Sequence, residues 1–299
     1  MKYLVTGGAG FIGSHITDKL IDLGHDVIVI DNLMLGKRDF VNKKAKFKKI
    51  DIRNYKKLSK AFKGMDGVFH LAADPRLQIS IEDPITTHEI NVTGTLNVLK
   101  AAVDNKVKKV IFSSSCSVYD DEVELPINEF GKTQPKNPYA MHKLIGEEYC
   151  RLFSSLYNLE TVVLRYFNVY GVRKLDNGGY PMVIPIFLGQ KKRGEKLTVV
   201  GDGKQTRDYV HVSDVVSANL KALESNIKNG DVVNVGSGKQ ISVNEIADLI
   251  GGKTEFLPQR PGEMRFIEAD NKKAKEVLNW EPNVEFKQGL KNLKKDWGL

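Results

Sequence analysis

A tyrosine followed four residues later by a lysine, Tyr139 and Lys143 in PYAMHK, is a pair that can move a proton. On a helix this spacing sets both side chains on one face. A tyrosine with its ordinary pKa of about 10 is a poor base at neutral pH. A neighbouring ammonium favours the phenolate, and lowering the pKa by roughly 3 units takes about 4 kcal/mol, which a closed site can supply. Upstream, the apolar run VIF ends in Ser113, Ser114 and Ser115. The hydroxyl of Ser115 is placed to relay a proton between a substrate and Tyr139. Ser113 and Ser114 read more simply as the close of the strand.

The second chemical pattern is Gly7, Gly10 and Gly13, a G-x-x-G-x-x-G run between the apolar YLVT and a helical pattern. Glycines allow a tight turn and let backbone N–H groups approach a pyrophosphate at a helix N-terminus. Asp31 closes the next strand, eighteen residues past Gly13. A carboxylate there holds both hydroxyls of an adenosine ribose and repels a 2′-phosphate, so NAD is expected over NADP. Lys37 and Arg38 lie nearby and act against that preference, and Asp51 with Ile52 is expected to reach the adenine.

These residues need a scaffold, and the first 165 residues supply an alternation of elements. Strands are expected at Tyr3–Thr6, Val27–Ile30, Gly67–Ala72, Val110–Ser113 and Thr161–Leu164. Helical spacing runs through 12–23, with Ile12, Ile16, Leu20 and Leu23 and a stop at Gly24, through 90–103, and through 138–157 from Pro138. Such alternation predicts a doubly wound parallel sheet. After Asn168 the rhythm breaks into a loop rich in Gly and Pro, and 240–299 reads as short helices and turns, a second and smaller domain. The cleft is expected at the carboxyl ends of the strands.

Composition sets the frame. The chain has 299 residues, 41% hydrophobic and 27% charged, enough to bury a core rather than remain disordered. No apolar run reaches the roughly 18–20 residues that would span a bilayer. The motif begins at the first residues and leaves no room for a signal peptide, and Cys116 and Cys150 make no disulfide scaffold. The expected setting is cytoplasmic, away from membranes. The net charge is +8, but the basic residues are scattered: Lys43 to Lys49, Lys191 to Arg193, Lys294 and Lys295. They read as solvated faces, or as a field for small anions, and not as a nucleic-acid surface.

Taken in order, TGGAGFIGSH, DN at 31–32, HLAA at 70–73, SSSCSVY at 113–119, PYAMHK at 138–143, LRYFNVYG at 164–171, GDGKQTRDYVHVSDV at 201–215 and RPGE at 260–263 resemble the extended short-chain dehydrogenase/reductases. Within them the pattern is most similar to UDP-glucose 4-epimerases and related nucleotide-sugar epimerases. The resemblance implies a Rossmann-type sheet with a smaller mixed α/β substrate domain. It divides the chain into an NAD-binding part, 1–167 with part of 209–236, and a nucleotide-sugar part, 168–208 and 237–299. It implies bound NAD held by Gly7, Gly10, Phe11, Ile12 and Gly13, by Asp31 and Asn32, and by Asp51 and Ile52. Leu71, Ala72, Ala73, Asn91, Ser113 and Tyr166 join Tyr139 and Lys143 around the same cofactor. Ser115, Tyr139 and Lys143 would be catalytic. Ser115, Asn168, Val183, Arg207, Tyr209, Arg260, Glu263 and Ile267 would take the UDP-sugar, with Ile267 at its sugar end. The reaction implied is inversion at carbon 4 of UDP-glucose or UDP-galactose, with weaker use of N-acetylated sugars, through a transient 4-keto sugar. A homodimer is implied too, its helices near 84–104 and 139–157 forming a four-helix bundle.

The chain departs from the family pattern at Asp120, His142, Val172 and Lys174. Dehydratases of this superfamily carry Thr-Asp-Glu where this chain has Ser115-Cys116-Ser117, so nothing there drives elimination. A UDP-glucuronate decarboxylase or epimerase is harder to separate. Cys116 reads as a small buried cysteine. A regulator that binds NAD without catalysis fits poorly with an intact Tyr139 and Lys143.

Overall fold

The computed structural model describes residues 1–174, 182–258 and 265–299. Its strands are β1 (Lys2–Thr6), β2 (Asp26–Asp31), β3 (Lys46–Lys49), β4 (Gly67–His70), β5 (Lys109–Ser115), β6 (Glu160–Tyr166), β7 (Asn168–Tyr170), β8 (Leu197–Val200), β9 (Thr206–His211), β10 (Asp231–Val235), β11 (Gln240–Ser242) and β12 (Thr254–Leu257). Seven of them form one parallel sheet in the order β10-β6-β5-β4-β1-β2-β3. Neighbouring residues of a strand serve opposite faces. Val5, Val29, Ile111 and Leu164 pack with Ile16, Leu20 and Val215 on one side. Leu4, Ile30, Phe112 and Val163 pack with Leu58, Val98 and Phe153 on the other. Burial on both faces is why these strands read as unbroken apolar runs.

The order reverses between β1 and β4, and that switch point opens a crevice at their carboxyl ends. The expected strands are present with shifted ends. β4 stops at His70, and β5 runs on to Ser115. The two outermost strands carry no run in the sequence reading. β3 is KFKK, a lysine-rich edge whose one apolar side chain is Phe47, and lysine is a usual guard of an open edge. The expected helix 90–103 is built in parts, a wide π turn at Glu89–Thr93 and a regular helix Gly94–Asp104, and it is preceded by a short helix Pro84–His88.

The smaller layer holds a mixed sheet, β11-β9-β7, and a pair, β12-β8. Helices Val183–Lys192, Val243–Ile250 and Phe286–Asp296 cover them around Tyr170, Ile184, Leu188, Leu197, Ile246 and Leu290. Trp280, fully buried, donates its indole N–H to the Asp214 carbonyl at 3.0 Å and ties the C-terminal segment to the helix Val212–Glu224. Among the described residues, no helix is long and apolar enough to cross a membrane.

Candidate active site

The glycine run forms the turn between β1 and the helix Phe11–Asp22. Gly7 has φ +72, and a Cβ there would lie 2.7 Å from the Ala72 nitrogen. A Cβ on Gly13 would lie 2.9 Å from the Gly7 carbonyl carbon, so the helix start is pressed flat on the turn. Gly10 caps the helix without a side-chain hydrogen bond, and the first turn carries no acidic residue. The N–H groups of Phe11, Ile12 and Gly13 therefore face an anion site of the usual kind. That cradle, which any Cβ would fill, fits a pyrophosphate.

Asp31 ends β2 beside this turn. Its carboxylate accepts from Ala9 N at 3.1 Å and from Leu33 N at 2.8 Å, while burial pushes its pKa up. It braces the glycine turn as well as facing the crevice. Asn32 donates to Asp51 at 3.0 Å. Asp51 is committed to Arg53, whose fork holds it at 3.0 and 2.8 Å and keeps its pKa down at about 2. The side chain of Ile52 is buried in the core against Gly94, so its part in any adenine contact falls to its backbone.

On the other side of the crevice, Leu71, Ala72 and Ala73 follow β4. Leu71 N donates to the Thr6 carbonyl at 3.1 Å and Ala72 N to the Thr6 hydroxyl at 3.3 Å. Behind them runs a buried chain that the sequence did not announce. Thr95 donates to the Asn91 carbonyl at 2.6 Å, so His70 Nε2–H must donate to Thr95 (2.9 Å) and Nδ1 must accept from Thr6 (2.7 Å). Burial holds this imidazole neutral, with a pKa of about 3. Asn91, expected beside the cofactor, has another occupation. Its amide clamps the backbone of Asp74, accepting at 2.7 Å and donating at 3.0 Å. The π turn that carries it turns this side chain inward.

The helix Pro138–Tyr157 begins with proline in its first turn, and its cap Asn137 accepts from Ala140 N at 2.9 Å. Tyr139 and Lys143 stand one turn apart, the Lys143 amine 5.8 Å from the Tyr139 ring centroid. The amine donates to the Ser113 carbonyl at 2.7 Å and lies 5.2 Å from the Phe112 ring centroid. Burial lowers its pKa to about 8, and Glu147 pulls the other way. Tyr139 N donates to Ser80 at 3.2 Å. Ser115 caps the turn Cys116–Val118 by accepting from Ser117 N at 3.2 Å. Tyr166, paired in register with Ser115, donates to Asn219 at 2.9 Å and is held a neutral phenol, its pKa pushed up to about 12 by burial.

Of the residues expected at the sugar nucleotide, Asn168 opens β7 and has a buried amide nitrogen with no partner among the described residues. The Ser117 hydroxyl is in the same state, a signal invisible in the sequence. A buried donor without a partner costs about 1–3 kcal/mol and points to a ligand. Val183 opens a helix whose N-terminus has no side-chain cap and no acid in its first turn. Arg207 on β9 donates to the Thr206 carbonyl at 2.8 Å, and its charge acts on Cys116, next to Ser115. Cys116, read from the sequence as buried, is only partly so, and desolvation pushes its thiol up to about 12. The Tyr209 ring packs into the smaller core, 5.6 Å from Phe286. Ile267 is 7% exposed and packs with Val118, Tyr119 and Phe167. Arg260 and Glu263 lie outside the described residues.

The departures have local partners. Asp120 is ion-paired with Lys132 at 2.6 Å and Lys136 at 3.4 Å. His142 packs edge-on against His88 and is held neutral, at about 4, by burial. The Lys174 amine lies 5.2 Å from the Phe11 ring centroid. Val172 accepts at its carbonyl from His15, 3.1 Å away. Among the described residues no group of three acidic, histidine or cysteine side chains could hold a metal.

A model of the NAD dependent epimerase/dehydratase family matches residues 3–236. A solved structure of a UDP-glucose 4-epimerase with UDP-glucose from Thermotoga maritima superposes with a TM-score of 0.95 at 40% identity, covering 99% of this chain and 98% of that one. The UDP-glucose 4-epimerase of Thermus thermophilus in complex with NAD is 35% identical with a TM-score of 0.90, covering 100% and 99%. A UDP-N-acetyl-alpha-D-glucosaminuronate decarboxylase of Bacillus cytotoxicus is 36% identical, covering 97% of this chain and 95% of its own. With the glycine turn, the strand-end serines and the Tyr139–Lys143 helix in the same molecule, this chain belongs to the NAD dependent epimerase/dehydratase family.

Proposed function

We propose that the protein is an NAD-dependent epimerase that inverts carbon 4 of a UDP-hexose, UDP-glucose and UDP-galactose first. The observation that carries this reading is the strand-end cluster: Lys143 anchored on the Ser113 carbonyl, under Tyr139, with Ser115 two residues on. In this reading 1–167 and part of 209–236 hold the cofactor, and 168–208 with 237–299 hold the sugar nucleotide. NAD supplies, when bound, an acceptor and donor of hydride. The glycine turn takes its pyrophosphate and Asp31 its ribose. Arg207, Arg260, Asn168 and the start of the Val183–Lys192 helix take the diphosphate end of the substrate through charge-assisted hydrogen bonds.

Tyr139, ionised beside the Lys143 ammonium, accepts the proton of the 4-hydroxyl, with Ser115 relaying it. With NAD, held by the glycine turn and Asp31, as the hydride acceptor, carbon 4 would be oxidised to a 4-keto sugar as the proton left its oxygen. After the sugar turned over, hydride would return to its other face from the same cofactor and Tyr139 would give the proton back. The turn Ser115-Cys116-Ser117 holds hydroxyls and a thiol but no carboxylate, which supports epimerisation over elimination. The Bacillus cytotoxicus relative supports decarboxylation of a UDP-uronate as the second reading. Exposed apolar side chains on the helices near 84–104 and 139–157, Ile85 at 75% and Leu156 at 62%, support pairing of two copies there.

The test is purified protein with UDP-glucose, UDP-galactose, UDP-N-acetylglucosamine and UDP-glucuronate, read by NMR for configuration at carbon 4 and by product mass. Inversion without mass change supports the proposal, and loss of carbon dioxide from UDP-glucuronate assigns the second reading. Tyr139→Phe should lose about 10²–10⁴-fold in kcat and still bind NAD. A Phe variant with full turnover removes Tyr139 from the mechanism.

A further inference from the structure

Beneath the catalytic residues lies a charged cluster that the proposed mechanism does not use. Glu147 follows Lys143 by one helical turn, on the same face, and is fully buried. Arg165 on β6 grips it with a fork, Nε to Oε1 at 2.9 Å and Nη2 to Oε2 at 2.7 Å. Ser114 donates its hydroxyl to the same Oε1. The guanidinium carbon lies 4.6 Å from the Tyr119 ring centroid, and Nη1 donates to the Glu129 carbonyl at 3.3 Å.

A buried ion pair is a weak source of stability, because its attraction barely offsets the desolvation of both ions. Its position suggests another use. Ser114 sits between Ser113, whose carbonyl holds the Lys143 amine, and Ser115. The cluster thus reaches Lys143 twice, through β5 and through the helix. Among the described residues, the other groups around the amine carry no negative charge apart from Tyr139 itself when it ionises. Tyr139, His142 and Cys150 lie on its own helix, with His142 neutral and the Cys150 thiol pushed up by burial. His70 on β4 is neutral, and β5 presents the Phe112 ring. Arg165 on β6 stands behind Glu147.

We propose that Glu147 is a positioning residue for the proton transfer. Fixed by Arg165 and Ser114, its carboxylate supplies the counter-charge that keeps Lys143 an ammonium, and it holds the strand end that carries Ser113 and Ser115. This rests on the Tyr139–Lys143 reading. Residues one helical turn apart have their Cβ atoms about 5–6 Å from each other, and an opposite charge close by raises a cation's pKa by roughly 1–3 units. Glu147→Gln should therefore let Lys143 lose its proton earlier and move the alkaline limb of the kcat/KM profile down by about 1–2 pH units. Glu147→Asp keeps the charge, so its limb should stay in place while kcat falls. Should Glu147→Gln fail to fold around an unpaired Arg165, the pair Glu147→Gln/Arg165→Met removes both buried charges. It should shift the limb the same way but by less, because the guanidinium that offsets part of the carboxylate's field leaves with it.

A second readout needs no turnover: the Nζ titration of Lys143 in ¹⁵N-lysine-labelled protein, assigned by its absence in Lys143→Met, should shift down with the limb. An unmoved limb and an unmoved titration in folded Glu147→Gln, or in the double variant, overturn the proposal. Full activity of Lys143→Met would instead overturn the reading on which it rests.

Discussion

Replacing Lys143 by methionine should abolish most turnover and yet leave the fold as stable as before, or more so, at neutral pH. Lys143 is 6% exposed, and burial takes its pKa from 10.5 to about 8. Below about pH 8 the folded and unfolded chains are both protonated, and the full cost of burying the charge is present. Between about 8 and 10.5 the unfolded chain binds a proton that the folded chain has released, so stability rises with pH. At about 1.4 kcal/mol per pH unit, that gap corresponds to about 3 kcal/mol. Methionine removes this cost but also the hydrogen bond to the Ser113 carbonyl, which contributes about 1 kcal/mol. Lys143→Met should thus be more stable than the parent by up to about 2 kcal/mol at pH 7. The advantage should shrink, and then reverse, toward pH 10.5, a swing of about 3 kcal/mol. Urea denaturation of both cofactor-free proteins at pH 7, 8.5 and 10 measures it. Lys109 and Lys174, also lowered by burial, titrate in both proteins and cancel in the difference. A difference that stays constant across this range would refute the argument that the amine is held charged at a cost.

Gly13→Ala would press a Cβ onto the Gly7 carbonyl and push the helix start off the turn. NAD affinity, read by calorimetry, should fall by about 10–100-fold, the value of one charge-assisted hydrogen bond. A simple gain of about 1 kcal/mol in stability from helix propensity, with NAD binding intact, would contradict this. Asp31→Asn removes the charge and keeps only one of the two acceptor oxygens that Ala9 N and Leu33 N use, so NAD should weaken about tenfold and discrimination against NADP should largely disappear. Unchanged discrimination would move the ribose site elsewhere. Ile267→Ser should cost about 2–4 kcal/mol of stability, because the side chain packs on Val118 and Tyr119. It should also raise kcat/KM for UDP-N-acetylglucosamine relative to UDP-glucose, and Ile267→Tyr should abolish that use. Lost stability with an unchanged ratio would leave Ile267 a packing residue alone.

The sequence by itself determined what depends on spacing along one stretch of chain. Four residues on a helix make one face, so Tyr139 and Lys143 were legible. Three glycines between a strand and a helix make a tight turn onto a helix N-terminus, so that turn was legible, with Asp31 beside it. The central strands were readable because burial on both faces makes them continuous apolar runs. What the tertiary structure decided is the partner of each polar group. Asp51 is spent on Arg53, and Asn91 clamps Asp74 seventeen residues away. His70 joins Thr6 across 64 residues, and Glu147 joins Arg165 and Ser114 from different elements. Nor does spacing reveal that Ile52, Tyr209 and Ile267 turn into cores, or that Ser117 and Asn168 hold buried donors with no partner among the described residues. The reason is physical. Local spacing fixes direction through covalent geometry, whereas a buried polar group takes whichever partner the packed strands bring within about 3 Å, and strand order is set by the whole core.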